Sequence, residues 1–229
     1  LSFFVVKREE RGEFVQGAYR SSAAILGIAF IQNIYGTSGM APLMIIGTVP
    51  LYNAFAVIVL SLLKPGQRKM DKALLQKTLK GIVTNPIILG IAAGFVWAIL
   101  KIPQPEILQK TVKNMAVLAT PLGLMAMGAS FEGKKALGKL KPTLIASALK
   151  LVVLAAIFLP IAVWLGYRES ELVAILVMLG SATTVSSFVM ARNMGHKGVL
   201  TSSVVMLTTL LSAFTLTGWL YLLKVQGLV

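Results

Sequence analysis

Apolar residues run in long unbroken stretches along this chain, and the polar residues gather between them. At about 1.5 Å of helical rise per residue, some 20 apolar residues cross the roughly 30 Å hydrocarbon core of a bilayer. Seven stretches have that length: residues 14–35, 40–63, 82–100, 112–131, 143–166, 171–191 and 199–223. A shorter apolar piece, residues 1–6, stops at Lys7 and Arg8 and reads as the last turns of an eighth span. The pattern predicts an all-α polytopic membrane protein with seven full spans plus a fragment. Over residues 70–81, Leu74, Leu75 and Leu79 recur at near-helical spacing among lysines, which predicts a short helix lying in the membrane interface.

Composition agrees with this reading. Of 229 residues 56% are hydrophobic and only 13% charged, whereas a soluble domain covers itself with about a quarter charged residues. The absence of cysteine removes disulfides, thiolate metal sites and cysteine nucleophiles together. The net charge of +14 would suggest nucleic acid until the cations are located. Fifteen fall in one set of alternate loops: Lys7, Arg8 and Arg11; Lys64, Arg68, Lys69, Lys72, Lys77 and Lys80; Lys134, Lys135, Lys139 and Lys141; Arg192 and Lys197. The other set holds five: Lys101, Lys110, Lys113, Arg168 and Lys224. Cytoplasmic loops carry the excess of Lys and Arg, so the first set is expected inside and the C-terminus outside. The charge becomes a topology signal, and no nucleic-acid partner is expected.

A short internal echo bears on architecture. Pro50-Leu-Tyr-Asn-Ala-Phe leads to Leu62-Leu63-Lys64, and Thr209-Leu-Leu-Ser-Ala-Phe leads to Leu222-Leu223-Lys224. On the charge assignment the first copy runs inward and the second outward, which is the signature of an inverted repeat. Residues 81–229 then form a second five-helix repeat. Residues 1–80 are the C-terminal part of the first repeat plus a cytoplasmic linker, all within a single membrane domain. Roughly 75 to 80 further residues of the first repeat are expected upstream.

The chain resembles the auxin-efflux-carrier family, and its bacterial permeases, among them malonate and malate carriers, more than the plant carriers. The resemblance lies in Arg11-Gly-Glu-Phe-Val-Gln-Gly-Ala-Tyr-Arg-Ser-Ser22, Val49-Pro-Leu-Tyr-Asn-Ala-Phe-Ala-Val-Ile-Val59, Asn85-Pro-Ile-Ile-Leu-Gly90, Pro121-Leu-Gly-Leu-Met-Ala-Met-Gly-Ala129 and Thr208-Thr-Leu-Leu-Ser212. It implies two inverted five-helix repeats whose broken fourth helices, here 14–35 and 171–191, cross near the bilayer centre. It also implies a secondary transporter of a small organic anion such as a dicarboxylate, working by alternating access in the bacterial inner membrane. Many relatives place Asn where Ser22 and Ser186 stand and Pro near Ala182. Neither crossing helix has a proline here, so the breaks are expected at Gly27 in one helix and at Gly180, Ser181, Thr183 and Thr184 in the other.

Polar groups within hydrocarbon are costly unless paired or facing water, so they are the candidate site residues. The first crossing helix offers Gln16, Arg20, Ser21 and Ser22; the second offers Ser181, Thr183, Thr184, Ser186 and Ser187; Tyr52 and Asn53 follow Pro50 in the next span. The expected substrate-binding set is Arg20, Ser21, Ser22, Tyr52, Asn53, Thr183, Thr184, Ser186 and Ser187. Hydroxyls, amides and the N-termini of broken helices suit a carboxylate. Arg20 and Lys150 both lie within snorkelling reach of the cytoplasmic surface, Lys150 the more simply. His196 is expected in solvent. All eight acidic residues fall in loops or at span ends. No acid pair, His cluster or Ser-His arrangement supports an enzyme, and no cofactor or metal is expected. Coupling to H+ or Na+ and a homodimer stay open. So do two other readings, a passive channel or facilitator and a seven-helix receptor or sensor. Gly128-Ala-Ser-Phe-Glu-Gly-Lys-Lys135 approximates a phosphate loop, but it ends a span rather than opening a helix after a strand. Gly90 and Gly94 are expected to pack against a neighbouring helix.

Overall fold

The computed structural model describes residues 2–66, 76, 79–81, 83, 84 and 86–229. The interfacial helix expected over 70–81 lies mostly outside them, as does Asn85. The described residues are helical, without strands, in a polytopic membrane protein. Among the described residues nine helices matter here: α1 (Arg11–Tyr19), α2 (Ala23–Tyr35), α3 (Ala41–Leu62), α4 (Pro86–Ile99), α5 (Glu106–Ala129), α6 (Leu140–Trp164), α7 (Glu169–Gly180), α8 (Ser186–Asn193) and α9 (Val199–Val225). Of these, α3, α5, α6 and α9 are each long and apolar enough to cross a membrane alone. The stretches 14–35 and 171–191 do not form single helices. Each is divided, into α1 and α2 and into α7 and α8.

Five buried apolar clusters hold the described residues together, three of them around α6, α7, α9 and the divided helices. Ala155, Leu159 and Ala162 of α6 pack with Leu172 and Leu176 of α7 and Leu216 and Leu223 of α9. Ile31 of α2 and Ala41 of α3 meet Val173, Ala174 and Val177 of α7. At the other end of the divided helices, Phe14 of α1 packs with Ala146 of α6 and Leu200 and Val204 of α9. Lipid is as apolar as these side chains, so close van der Waals fit rather than water exclusion favours such contacts. Gly17 of α1 illustrates the fit, since a Cβ there would stand 3.3 Å from Val204. Large apolar side chains such as Leu51, Phe55, Val117, Trp164 and Phe214 point outward, as a lipid-facing surface requires. Gly90 and Gly94 do not behave as expected: no other group comes within 4 Å of a Cβ built on either, so neither packs against a described neighbour.

Within α6, residues Leu149–Val153 form a π-helical turn. Within this turn the Leu151 carbonyl accepts the Trp219 indole N–H at 3.1 Å. This turn places Lys150 beside the end of α7.

Candidate functional site

Both divided helices end in the same way, without proline. The Arg20 N–H closes the last turn of α1 on Gln16 O, and the Ser181 N–H closes that of α7 on Val177 O. Each closing residue then turns extended, Arg20 at φ −67°, ψ 143° and Ser181 at φ −76°, ψ 162°. Ser and Thr cluster just beyond, where their hydroxyls compete for backbone groups and weaken the helix. Gly27, expected as the first break, instead lies inside α2, against the flexible end of the Met44 side chain.

The two breaks are joined to each other. The Ser22 N–H donates to Ala182 O at 2.9 Å. The Thr183 hydroxyl donates to Gly17 O, near the end of α1, at 2.8 Å. The Ser21 hydroxyl donates to Val177 O, near the end of α7, at 3.2 Å, and is bonded to the Ser181 hydroxyl. Each break therefore contributes a bond to the other's helix end: the Gly17 carbonyl gains a partner across the crossing, and the Val177 carbonyl gains a second one. Thr208 of α9 accepts the Thr183 N–H at 3.0 Å and fixes the crossing to the rest of the bundle.

Arg20 leaves the crossing sideways. Its side chain is buried, and one terminal nitrogen donates both to Asn53 Oδ1 of α3 and to Ser186 Oγ of α8, each at 2.9 Å. The other terminal nitrogen points to Met190 Sδ at 3.6 Å, and Nε has no protein partner among the described residues. Asn53 is held in turn by its amide N–H on Val49 O at 2.8 Å. Thr184 Oγ1 lies 3.3 Å from Ser186 Oγ. Ser186 is the first residue of α8, at the positive end of that helix's dipole, and the Ser187, Phe188 and Val189 N–H groups that follow it are already taken by Thr184 O and Val185 O. A buried guanidinium thus faces a second positive feature, with no carboxylate paired to it among the described residues. An unpaired buried charge costs several kcal/mol, so the arrangement is chemically suited to accept an anion.

A family model described as "Membrane transport protein" matches residues 2–220. The chain belongs to that family, the family of the auxin efflux carriers. This membrane transport protein is 33% identical over 150 residues to a protein of Rhizobium meliloti (strain 1021) named "Putative malonate transporter". The match covers 62% of this chain and 45% of that relative's length. No solved structure matches the chain significantly. Membership places the chain in a family of multi-pass membrane transport proteins.

Within this membrane transport protein the expected site residues separate by how they are used. Arg20, Asn53, Thr184 and Ser186 form one cluster. Ser21 and Thr183 are committed to the joint between the breaks, and Ser22 contributes its main-chain N–H there. Tyr52 has its hydroxyl on Met178 O at 3.2 Å, while its carbonyl accepts the Tyr19 hydroxyl at 3.3 Å. Ser187 is buried beside the cluster, its hydroxyl without a protein partner among the described residues. Gln16, one turn before Arg20 on the same face of α1, is also buried with both ends of its amide unpartnered.

Three ionisable side chains depart from expectation. Lys150 does not snorkel. It is fully buried and donates to Met178 O at 3.2 Å and Leu179 O at 2.5 Å, at the C-terminal end of α7. Glu13 lies buried within α1. It accepts the Gly198 N–H at 2.9 Å and the Thr201 N–H and hydroxyl at 3.0 and 3.1 Å, capping α9, whose own N-cap is a glycine. His196 is buried rather than solvated, with Nε2 2.9 Å from Leu60 O. No local sequence signal marks the last two, because their partners lie more than a hundred residues away. Lys150 carried one, a lone lysine inside an apolar stretch.

Proposed function

We propose that the protein is a secondary transporter that moves a small organic anion, such as a dicarboxylate, by alternating access around the crossing. The observation that carries this reading is Arg20: a buried cation held by Asn53 and Ser186, aimed at the N-terminus of α8 and lacking a carboxylate partner among the described residues. A substrate carboxylate bridging Arg20 and α8 satisfies both charges and takes up the spare hydrogen-bonding capacity of Arg20 Nε and Ser187. Thr184 adds a further hydroxyl. The relative's name makes malonate the first substrate to test.

Reciprocal capping of the two breaks supports the inverted-repeat architecture, with residues 1–80 belonging to the first repeat and 81–229 forming the second. It makes the crossing a pivot against which the surrounding helices rock, exposing Arg20 to one side of the membrane and then the other. The excess of basic residues in alternate loops supports a C-terminus outside the inner membrane. On the inner side, a charged cavity of about 550 Å3 lined by residues including Glu10, Lys139, Arg192 and Lys197 lies beneath α1 and α9. An apolar cleft of about 450 Å3 between α3, α6 and α7, lined by residues such as Met44 and Phe158, has too little polarity for a dicarboxylate.

The test is uptake and counterflow of radiolabelled malonate in vesicles containing the protein. A carrier saturates and shows counterflow, whereas a passive pore shows neither. Arg20→Gln is expected to lower uptake tenfold or more, in line with the roughly 1.5–3 kcal/mol associated with hydrogen bonds to charged groups. Asn53→Ala and Ser186→Ala are expected to lower it by smaller factors at unchanged protein level. Unaltered uptake in all three variants would remove this site.

A further inference from the structure

Lys150 is the second buried cation of the bundle, and the anion site does not use it. It projects from the π-helical turn of α6 onto the last carbonyls of α7, with no ion pair to any carboxylate among the described residues. Where a helix stops inside a membrane its final carbonyls have no intrahelical partner. In secondary transporters such half-helix ends and unwound carbonyls are where coupling Na+ or H+ is held. Here those oxygens are already supplied. Val177 O takes the Ser181 N–H and the Ser21 hydroxyl, Met178 O takes the Tyr52 hydroxyl and Lys150, and Leu179 O takes Lys150.

Depth and geometry separate this contact from snorkelling. The lysine stem is wholly enclosed, and its nitrogen bonds two consecutive carbonyls rather than reaching a surface. The π turn is the device that points it there, because the widened turn changes the direction of the residue it carries. The carbonyl of Leu151, the next residue in that turn, accepts the Trp219 indole N–H, so the irregularity is itself braced. A positive group at a helix C-terminus also meets the negative end of the dipole.

We infer that Lys150 is a tethered counter-cation: its ammonium takes the seat on Met178 O and Leu179 O that a free metal cation would otherwise fill, so this half of the transporter needs no Na+. The inference deepens the transport reading and rests on it for its uptake assay, but not for its stability assay. Lys150 is a positioning residue, acting on substrate through the end of α7 and the break that follows it.

The experiment compares the wild-type protein with Lys150→Met, which keeps the apolar stem but not the charge, and Lys150→Ala, which opens the seat. Thermal unfolding is followed in detergent with choline, Na+ or methylammonium as the chloride salt, without any substrate. The wild-type midpoint is expected to be the same in all three salts. Lys150→Ala is expected to unfold several degrees lower in choline and to recover at least half of that loss in methylammonium or Na+. Lys150→Met, whose side chain fills the seat, is expected to stay low in every salt. In vesicles, wild-type malonate uptake is expected to change less than twofold when choline replaces Na+, and uptake by Lys150→Ala is expected to rise at least threefold when Na+ or methylammonium is restored.

A Lys150→Met protein as stable as wild type, or a folded Lys150→Ala protein indifferent to added cations, would overturn the inference. Wild-type stability that depends on Na+ would overturn it even if neither variant folds. Failure of malonate uptake with the expected melting pattern would instead count against the transported substrate and leave the cation seat standing.

Discussion

Arg20 and Lys150 are the two basic residues that belong to neither set of loops, and each is buried on polar partners near a helix break. Their depth follows from sequence spacing alone; their partners do not. Arg20 meets Asn53 and Ser186 only because the chain turns extended at Arg20 and directs the side chain away from the path of α1, an event that no helical periodicity encodes. Snorkelling was the simpler expectation for both because a straight helix would have presented them toward the surface. Glu13 shows the same limit at the other charge, since its value depends on α9 beginning at a glycine that cannot cap itself. Replacing Glu13 with Gln leaves a poorer acceptor for two N–H groups and a hydroxyl. It is expected to lower stability by about 1–2 kcal/mol, read as a lower unfolding temperature in detergent. Wild-type stability would show that the cap contributes nothing.

Among the elements, the two divided helices are the ones whose interruption had no proline to announce it. The second break was legible, because Gly180, Ser181, Thr183 and Thr184 concentrate weak helix formers in five residues. The first carries no such signal. Gly27 looked like the weak point, but it lies inside α2 against Met44, while the interruption falls at Arg20–Ser22 and is held by partners on the opposite break. Helix ends inside a bilayer exist only where their carbonyls are satisfied, so one break could not be located without the other. Thr183→Val keeps shape and removes the hydroxyl that caps α1 on Gly17 O. The orphaned carbonyl is expected to cost about 1–3 kcal/mol, seen as a lower unfolding temperature together with reduced malonate uptake. The same substitution at exposed Thr217, whose hydroxyl bonds only its own helix at Ala213 O, is expected to change little.

For the whole molecule, the seven apolar stretches gave the polytopic architecture directly, and the cations gave an expected orientation. The chain has no cysteine, so single cysteines introduced into it can report that orientation. At Thr37 and Gln226 they are expected to react with a membrane-impermeant maleimide from outside intact cells, and at Lys134 only after permeabilisation. The reverse pattern would invert the topology. The bond between Ser22 N–H and Ala182 O has a different kind of consequence. It is written in main chain on both sides, so ordinary side-chain replacement cannot erase it, and among the standard residues only proline at position 22 removes the donor. The seam between the two broken helices can therefore persist while the hydroxyls and amides around it are exchanged. Substrate preference can drift over time on a joint that itself stays fixed.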